Sequence, residues 1–152
     1  ISQSVENANA RIRFFRVAFG AARSGQTIGH GEIKGILRDV SRGGRVQFDW
    51  QPKNDLPRQE VKLAFLLLQC FETAMPRGGH VSVSVVGGQW AVTGEAEHLT
   101  IRPERWEVLS VATSDVDLEA ADVQFALAPI AADAIGRRLT LESSPKVARV
   151  RF

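Results

Sequence analysis

Apolar residues recur at alternating spacings of four and three through Ile1, Val5, Ala8, Ile12, Phe15, Phe19 and Ala22. That spacing is the seam of a helix packed in a bundle or coiled coil. Phe14 and Val17 make a second stripe beside it, as in a bundle helix that touches two neighbours. A helix over the first 22 residues is therefore predicted, closed by Arg23-Ser24-Gly25-Gln26. Ile28 to Val40 reads as a shorter amphipathic helix ended by Ser41-Arg42-Gly43-Gly44, and Arg45 to Trp50 alternates as a strand. Pro52 to Pro57 is a loop, with Pro57 opening a helix that runs to about Met75. Its stretch Leu63 to Leu68 is apolar on every side, so this helix is predicted to be central and buried.

Beyond it, Val81 to Val85 alternates, Gly87-Gly88 supplies a two-residue turn that needs positive φ, and Trp90 to Thr93 returns antiparallel. A short helix is predicted at Pro103 to Leu109 and a polar loop at Thr113 to Asp117. Pro129 is read as the start of a helix ending near Gly136, and Leu139 to Glu142 and Ala148 to Phe152 as two closing strands. The expected fold class is α+β, with helices layered on a mixed, mostly antiparallel sheet.

Composition narrows the chemistry. With 152 residues there is room for one compact domain and an appended helix, not for two full domains. No apolar run approaches the ~20 residues of a membrane span, and no charged-then-apolar leader opens the chain, so the expected setting is the cytoplasm. The net charge of +2, with 15 Arg and 4 Lys scattered along the chain, gives no footprint for nucleic acid. His30, His80 and His98 are isolated from one another and from any cysteine, which argues against a metal site. Lone Cys70 sits in an apolar helix and reads as a packed thiol. No nucleophile elbow or P-loop is present, and Ser110 or Ser143 would be a nucleophile by residue type alone.

The segment Val123 to Phe152 carries a resemblance. Its stretch Ile130-Ala131-Ala132-Asp133-Ala134-Ile135-Gly136-Arg137-Arg138-Leu139-Thr140-Leu141-Glu142-Ser143 is similar to the helix, glycine turn and strand that end the ATP-binding domain of sensor histidine kinases. The order of the parts, a bundle helix, then a buried helix, then a hairpin, extends the likeness over nearly the whole chain. In nucleotide-binding members of that superfamily two asparagines four residues apart hold magnesium, a D-x-G-x-G meets adenine and a G-x-G cradles phosphate. The positions that align here are Phe65 and Gln69, Thr93-Gly94-Glu95-Ala96, and Asp122 and Gln124. An aromatic ring cannot ligate a hard cation, and side chains at the G-x-G positions screen the backbone from phosphate. The expectation is a degenerate ATPase-like domain with no cofactor and no resident metal.

Two stretches sharpen the family: Ala10-Arg11-Ile12-Arg13-Phe14-Phe15-Arg16-Val17-Ala18-Phe19-Gly20-Ala21-Ala22, and Met75-Pro76-Arg77-Gly78-Gly79. Together they resemble the ChpT-like bacterial histidine phosphotransferases, dimeric four-helix-bundle proteins that relay phosphate between receiver domains. The resemblance implies that residues 1–24 are the second helix of the bundle hairpin and 25–152 the degenerate domain. It also implies an acceptor histidine upstream of Ile1, since the family's histidine-aspartate motif is missing from this first helix. Response-regulator receivers are the implied partners, with homodimerisation through the bundle. Arg11, Arg13, Phe14, Arg16 and Phe19 would then neighbour the phosphorylated ring, with Arg13 and Arg16 sharing a face toward phosphate or an acidic receiver pocket. The same residues also read as bundle core, for the phenylalanines, and solvated face, for the arginines. An ATP-binding kinase-type regulator and a dimeric scaffold without phosphotransfer stand as the alternatives.

Overall fold

In the computed structural model, which describes residues 2–110 and 122–152, the seam helix α1 covers Ser2–Phe19. It stops three residues short of the predicted end. Lys62 Nζ donates hydrogen bonds to the carbonyl oxygens of Ala18 and Gly20, both at 2.9 Å, and a cation on the last carbonyls is a favourable helix terminus. Burial lowers the pKa of that ammonium.

The second helix, α2, covers His30–Gly43 rather than Ile28 to Val40. Ile28 belongs instead to a two-residue strand β1, Thr27–Ile28, paired antiparallel with β3, Leu56–Pro57. At its other end α2 continues past Val40 because Ser41 is useful inside it, its Oγ accepting from the Phe48 backbone N–H at 3.0 Å. Strand β2, Val46–Trp50, follows with its Val46 and Trp50 side chains buried. Helix α3, Arg58–Ala74, begins directly after Pro57, and every residue from Leu63 to Leu68 is 0% exposed. It is the central helix the apolar run predicted.

Strands β4, Gly79–Val86, and β5, Gln89–Glu95, form the predicted hairpin, with Gly87 and Gly88 at φ of 57° and 79°. A side chain in this left-handed region costs about 1–2 kcal/mol, more when β-branched. Gly88→Val is accordingly expected to lower unfolding stability by about 2 kcal/mol in a urea titration, with no change in the slope of the transition.

After β5 come a short helix α4, Pro103–Trp106, and a 3-10 turn, Glu107–Ser110. The predicted polar loop at Thr113 to Asp117 lies outside the described residues. Helix α5 spans Val123–Ala134, so Pro129 lies inside it rather than at its start. The roughly 3 kcal/mol that an interior proline costs is offset by burial of Phe125, Ala128 and Ala132 together with Pro129 itself, on a helix packed against α3. Strands β6, Thr140–Ser143, and β7, Val147–Arg151, close the fold.

The main sheet has the order β2-β4-β5-β7-β6, parallel only between β2 and β4. The helices α1, α3 and α5 supply buried residues to the core that also takes in Val81, Val83, Trp90, Val92, Ala148 and Val150 from the sheet. The architecture is the expected α+β layering of helices on a mixed, mostly antiparallel sheet. Among the described residues, strand β2 is one edge of that sheet, with β4 on one side and no strand on the other.

Candidate functional site

Helix α1 divides its faces sharply. Ala10, Phe14, Val17 and Ala18 are buried against the domain, whereas the seam residues Val5, Ile12, Phe15 and Phe19 remain 55%, 48%, 39% and 38% exposed. Phe15 and Phe19 pack on each other with ring centroids 5.7 Å apart, extending an aromatic strip along the exposed side. The seam read from spacing is therefore open, and the second stripe is what joins the helix to its own domain.

The candidate residues of α1 separate accordingly. Phe14 is 0% exposed and stacks on Phe65, with centroids 4.8 Å apart and planes at 20°. The expectation that it faces a partner is corrected by that burial: its ring is core. Arg11 donates through Nη1 and Nη2 to the two carboxylate oxygens of Glu72 at 2.8 and 2.6 Å, a two-pronged pair that ties α1 to α3. Its guanidinium also lies 5.5 Å from the Phe14 ring centre. Arg13 donates to Asp39 Oδ2 of α2 at 2.5 Å. Arg16 is exposed and has no ionic partner among the described residues, so Arg13 and Arg16 do not act as an equivalent pair. Phe19 is part of the exposed aromatic strip, and Phe15, omitted from the candidates, is its neighbour there. The alternation of fours and threes was the signal for Phe15.

Asp39 also faces Arg38 Nε at 3.5 Å and Arg42 Nη1 at 3.9 Å. The hydrogen bond from Arg13 is the main cause of a lowered Asp39 pKa, with the charges of Arg13 and Arg38 adding to it against partial burial. A folded-state pKa below the unfolded value means that this carboxylate stabilises the fold above the ordinary aspartate range and ceases to do so as pH falls through the folded value. Asp39→Asn should therefore flatten the loss of stability between about pH 5 and pH 3, seen as converging urea midpoints of variant and parent at the acid end.

Phe65 and Asp122, at positions that the resemblance aligns with a nucleotide site, are packed and paired within the chain. Phe65 is enclosed between Phe14 and Trp50, the latter edge-on at 6.0 Å. Gln69, one turn further along α3, is partly buried, and its Oε1 has no partner among the described residues. Asp122 is 3% exposed and its Oδ2 takes Arg105 Nε at 3.1 Å. Gln124 is 1% exposed. Gly94, in the stretch aligned with the adenine motif, sits on β5 where an added Cβ would approach Met75 Cε to 2.6 Å, so glycine there serves the packing of α3 on the sheet. Phe71, Trp106 and Phe125 meet edge-to-face at 5.1 and 5.4 Å between α3, α4 and α5.

Cys70 is wholly buried, and burial, with the charge of Asp122, pushes its thiol pKa up. The histidines serve separate places: His30 opens α2 with its backbone N–H on Asp55 Oδ1 at 3.1 Å, His80 lies on β4, and His98 Nε2 meets Arg77 at 3.2 Å. Among the described residues, no group of three or more His, Cys, Asp or Glu is arranged to hold a metal ion. Nor is any helix among them long and apolar enough to cross a membrane.

Comparison with known proteins places this geometry. The histidine phosphotransferase C-terminal domain model matches residues 30–146. Protein phosphotransferase ChpT of Brucella abortus (strain 2308) is 29% identical over 150 residues, which take in 95% of this chain and 72% of that protein. A solved bacterial phosphotransferase is 27% identical with a TM-score of 0.84, over 99% of this chain and 75% of its own. The histidine kinase domain of the Erythrobacter litoralis EL346 blue-light activated histidine kinase, at 15% identity, shares the fold with a TM-score of 0.56 over 99% of this chain and 73% of its own. The likeness read from Ala10 to Ala22 and Met75 to Gly79 thus meets a family match, a relative and a structure that agree. The chain belongs to the histidine phosphotransferase C-terminal domain family.

Proposed function

We propose that this chain is the second bundle helix, residues 1–24, and the degenerate ATPase-like domain, residues 25–152, of a homodimeric histidine phosphotransferase working in the cytoplasm. An acceptor histidine on a helix preceding Ile1 takes the phosphoryl group from the aspartyl phosphate of one response-regulator receiver and hands it to a second. The imidazole nitrogen attacks phosphorus, the P–O bond to the aspartate breaks, and the aspartate leaves as a carboxylate. The receiver's acidic pocket brings the magnesium for that step, and ATP has no part in it.

The observation that carries the reading is the open seam on α1. Four large apolar side chains stay exposed on a helix whose opposite face is fixed to the domain, and such a face is what a bundle partner covers. The filled nucleotide positions support a route that starts from aspartyl phosphate rather than from ATP. Arg16, exposed and unpaired among the described residues, is the cation best placed for phosphate or a receiver's acidic surface.

The test uses the protein with its preceding segment. Incubated with a radiolabelled phospho-receiver, it is expected to acquire acid-labile phosphate, while ATP-Mg gives no saturable heat at micromolar concentrations. Phe15→Asp should turn the dimer into a monomer by sedimentation, because a charge in a bundle seam is buried without a partner. Failure to acquire label with the upstream histidine present would leave a scaffold, and micromolar ATP-Mg binding would restore the kinase-type reading.

A further inference from the structure

A second surface lies away from the bundle, where α2 runs beside the free edge of β2. A cleft of about 500 Å³ opens between them, with Lys34, Arg38 and Arg42 on its helical side and Phe48, Asp49 and Trp50 on its strand side. The three cations fall four residues apart on α2, so the rise of the helix spaces them by about 6 Å. Alternate residues of an extended chain, which share one face, are spaced by about 6.6 Å. The row on α2 thus has the repeat of a β-strand.

The charges of that row are largely uncompensated. Lys34 has no ionic partner among the described residues. Arg38 and Arg42 are 69% and 61% exposed and among the described residues share only Asp39 Oδ1, while Arg13 holds Oδ2. Among the described residues, Asp49 is the single carboxylate lining the cleft.

The strand side offers backbone. In the parallel ladder Gln51 N–H bonds Val83 C=O at 3.0 Å, so Trp50, the residue before it, turns its own N–H and C=O to the free edge. At Phe48 the outward N–H is already taken by Ser41 Oγ, which leaves the unpaired edge at Trp50, a residue only 2% exposed, so a segment reaching its backbone displaces the groups that cover it. The Trp50 indole N–H, on a residue 2% exposed that lines the cleft, also lacks an acceptor among the described residues.

We infer that the cleft between α2 and β2 docks an extended acidic segment of a partner protein, laid along the edge of β2 with carboxylates at alternate residues facing Lys34, Arg38 and Arg42. Main-chain bonds at Trp50 give the segment its hold, and the spacing of the cations selects its sequence. The site is separate from the α1 seam and does not depend on phosphotransfer.

A fluorescein-labelled peptide of alternating threonine and glutamate tests it by anisotropy against the full chain. Saturable binding is expected, weakened about tenfold by Lys34→Glu or by Arg38→Glu, and abolished when the two are combined. Both side chains are solvent-exposed, so the variants should keep the parent's circular dichroism. Methylating the peptide's backbone nitrogens should weaken it similarly, and binding should slow hydrogen exchange at the Trp50 amide. The inference is overturned if no saturable signal arises up to about 1 mM or if a threonine-lysine peptide binds equally. It is overturned as well if the charge reversals leave affinity unchanged, or if backbone methylation has no effect, which would make the row a plain anion patch.

Discussion

Phe65→Asn is expected to remove about 4–8 kcal/mol of stability without creating a nucleotide site. The substitution installs the residue type that the ATPase resemblance associates with this position. Here, however, the ring is 0% exposed, stacked on Phe14 and capped edge-on by Trp50. Truncating a buried phenylalanine costs about 3–5 kcal/mol through lost transfer energy and the cavity left behind. An amide with no partner in that cavity adds about 1–3 kcal/mol. Domains have only about 5–15 kcal/mol in total, so the variant sits near the edge of folding. Phe65→Leu, which keeps most of the apolar volume, should cost no more than about 1.5 kcal/mol. Urea titration of both variants checks the ranking, and an asparagine variant as stable as the leucine one would mean that this core tolerates the polar group. Because Phe14 belongs to α1, the asparagine variant should also loosen that helix from the domain.

The second large effect is expected at Trp90. Its side chain is 0% exposed and joins three elements: edge-on to Trp50 of β2 at 5.6 Å, stacked on Phe152 after β7 at 5.4 Å, and hydrogen-bonded from Nε1 to Glu60 Oε1 of α3 at 2.9 Å. Trp90→Ala should cost about 3–5 kcal/mol and lower the melting temperature by about 10 °C or more. Trp90→Phe separates the packing from the hydrogen bond. Glu60 keeps Arg137, whose Nη2 lies 3.0 Å from the same oxygen, so the phenylalanine variant should lose only about 1 kcal/mol. Thermal unfolding of the pair reads both numbers, and equal losses would mean that the hydrogen bond, not the ring, holds the three elements together.

What the sequence disclosed depended on how local the determinant was. The Gly87-Gly88 turn and the apolar run Leu63 to Leu68 are set by neighbours in the chain, and both elements appear where the pattern put them. The strands β1 and β3 are two residues each, too short for any periodicity, and exist because Thr27 and Ile28 find Pro57 and Leu56 across the fold. Pro129 misled for a related reason: its local preference is for a first turn, and contact with α3 carried the helix through it. At the site, the seam of α1 was legible because it is a spacing. The occupations of Arg11 and Arg13 were not, since Glu72 and Asp39 lie 61 and 26 residues away, and nothing within α1 says which carboxylate will stand opposite. Phe14 was ambiguous on the same ground, as its stacking partner Phe65 comes from α3.

The Lys62 ammonium that closes the carbonyl end of α1 has a mechanical consequence. Together with the Arg11–Glu72 and Arg13–Asp39 pairs it clamps the helix to the domain at three points, on α3 twice and on α2 once. Helix and domain then turn as a single lever, so a partner docking on the domain meets the exposed seam of α1 at a set distance and angle.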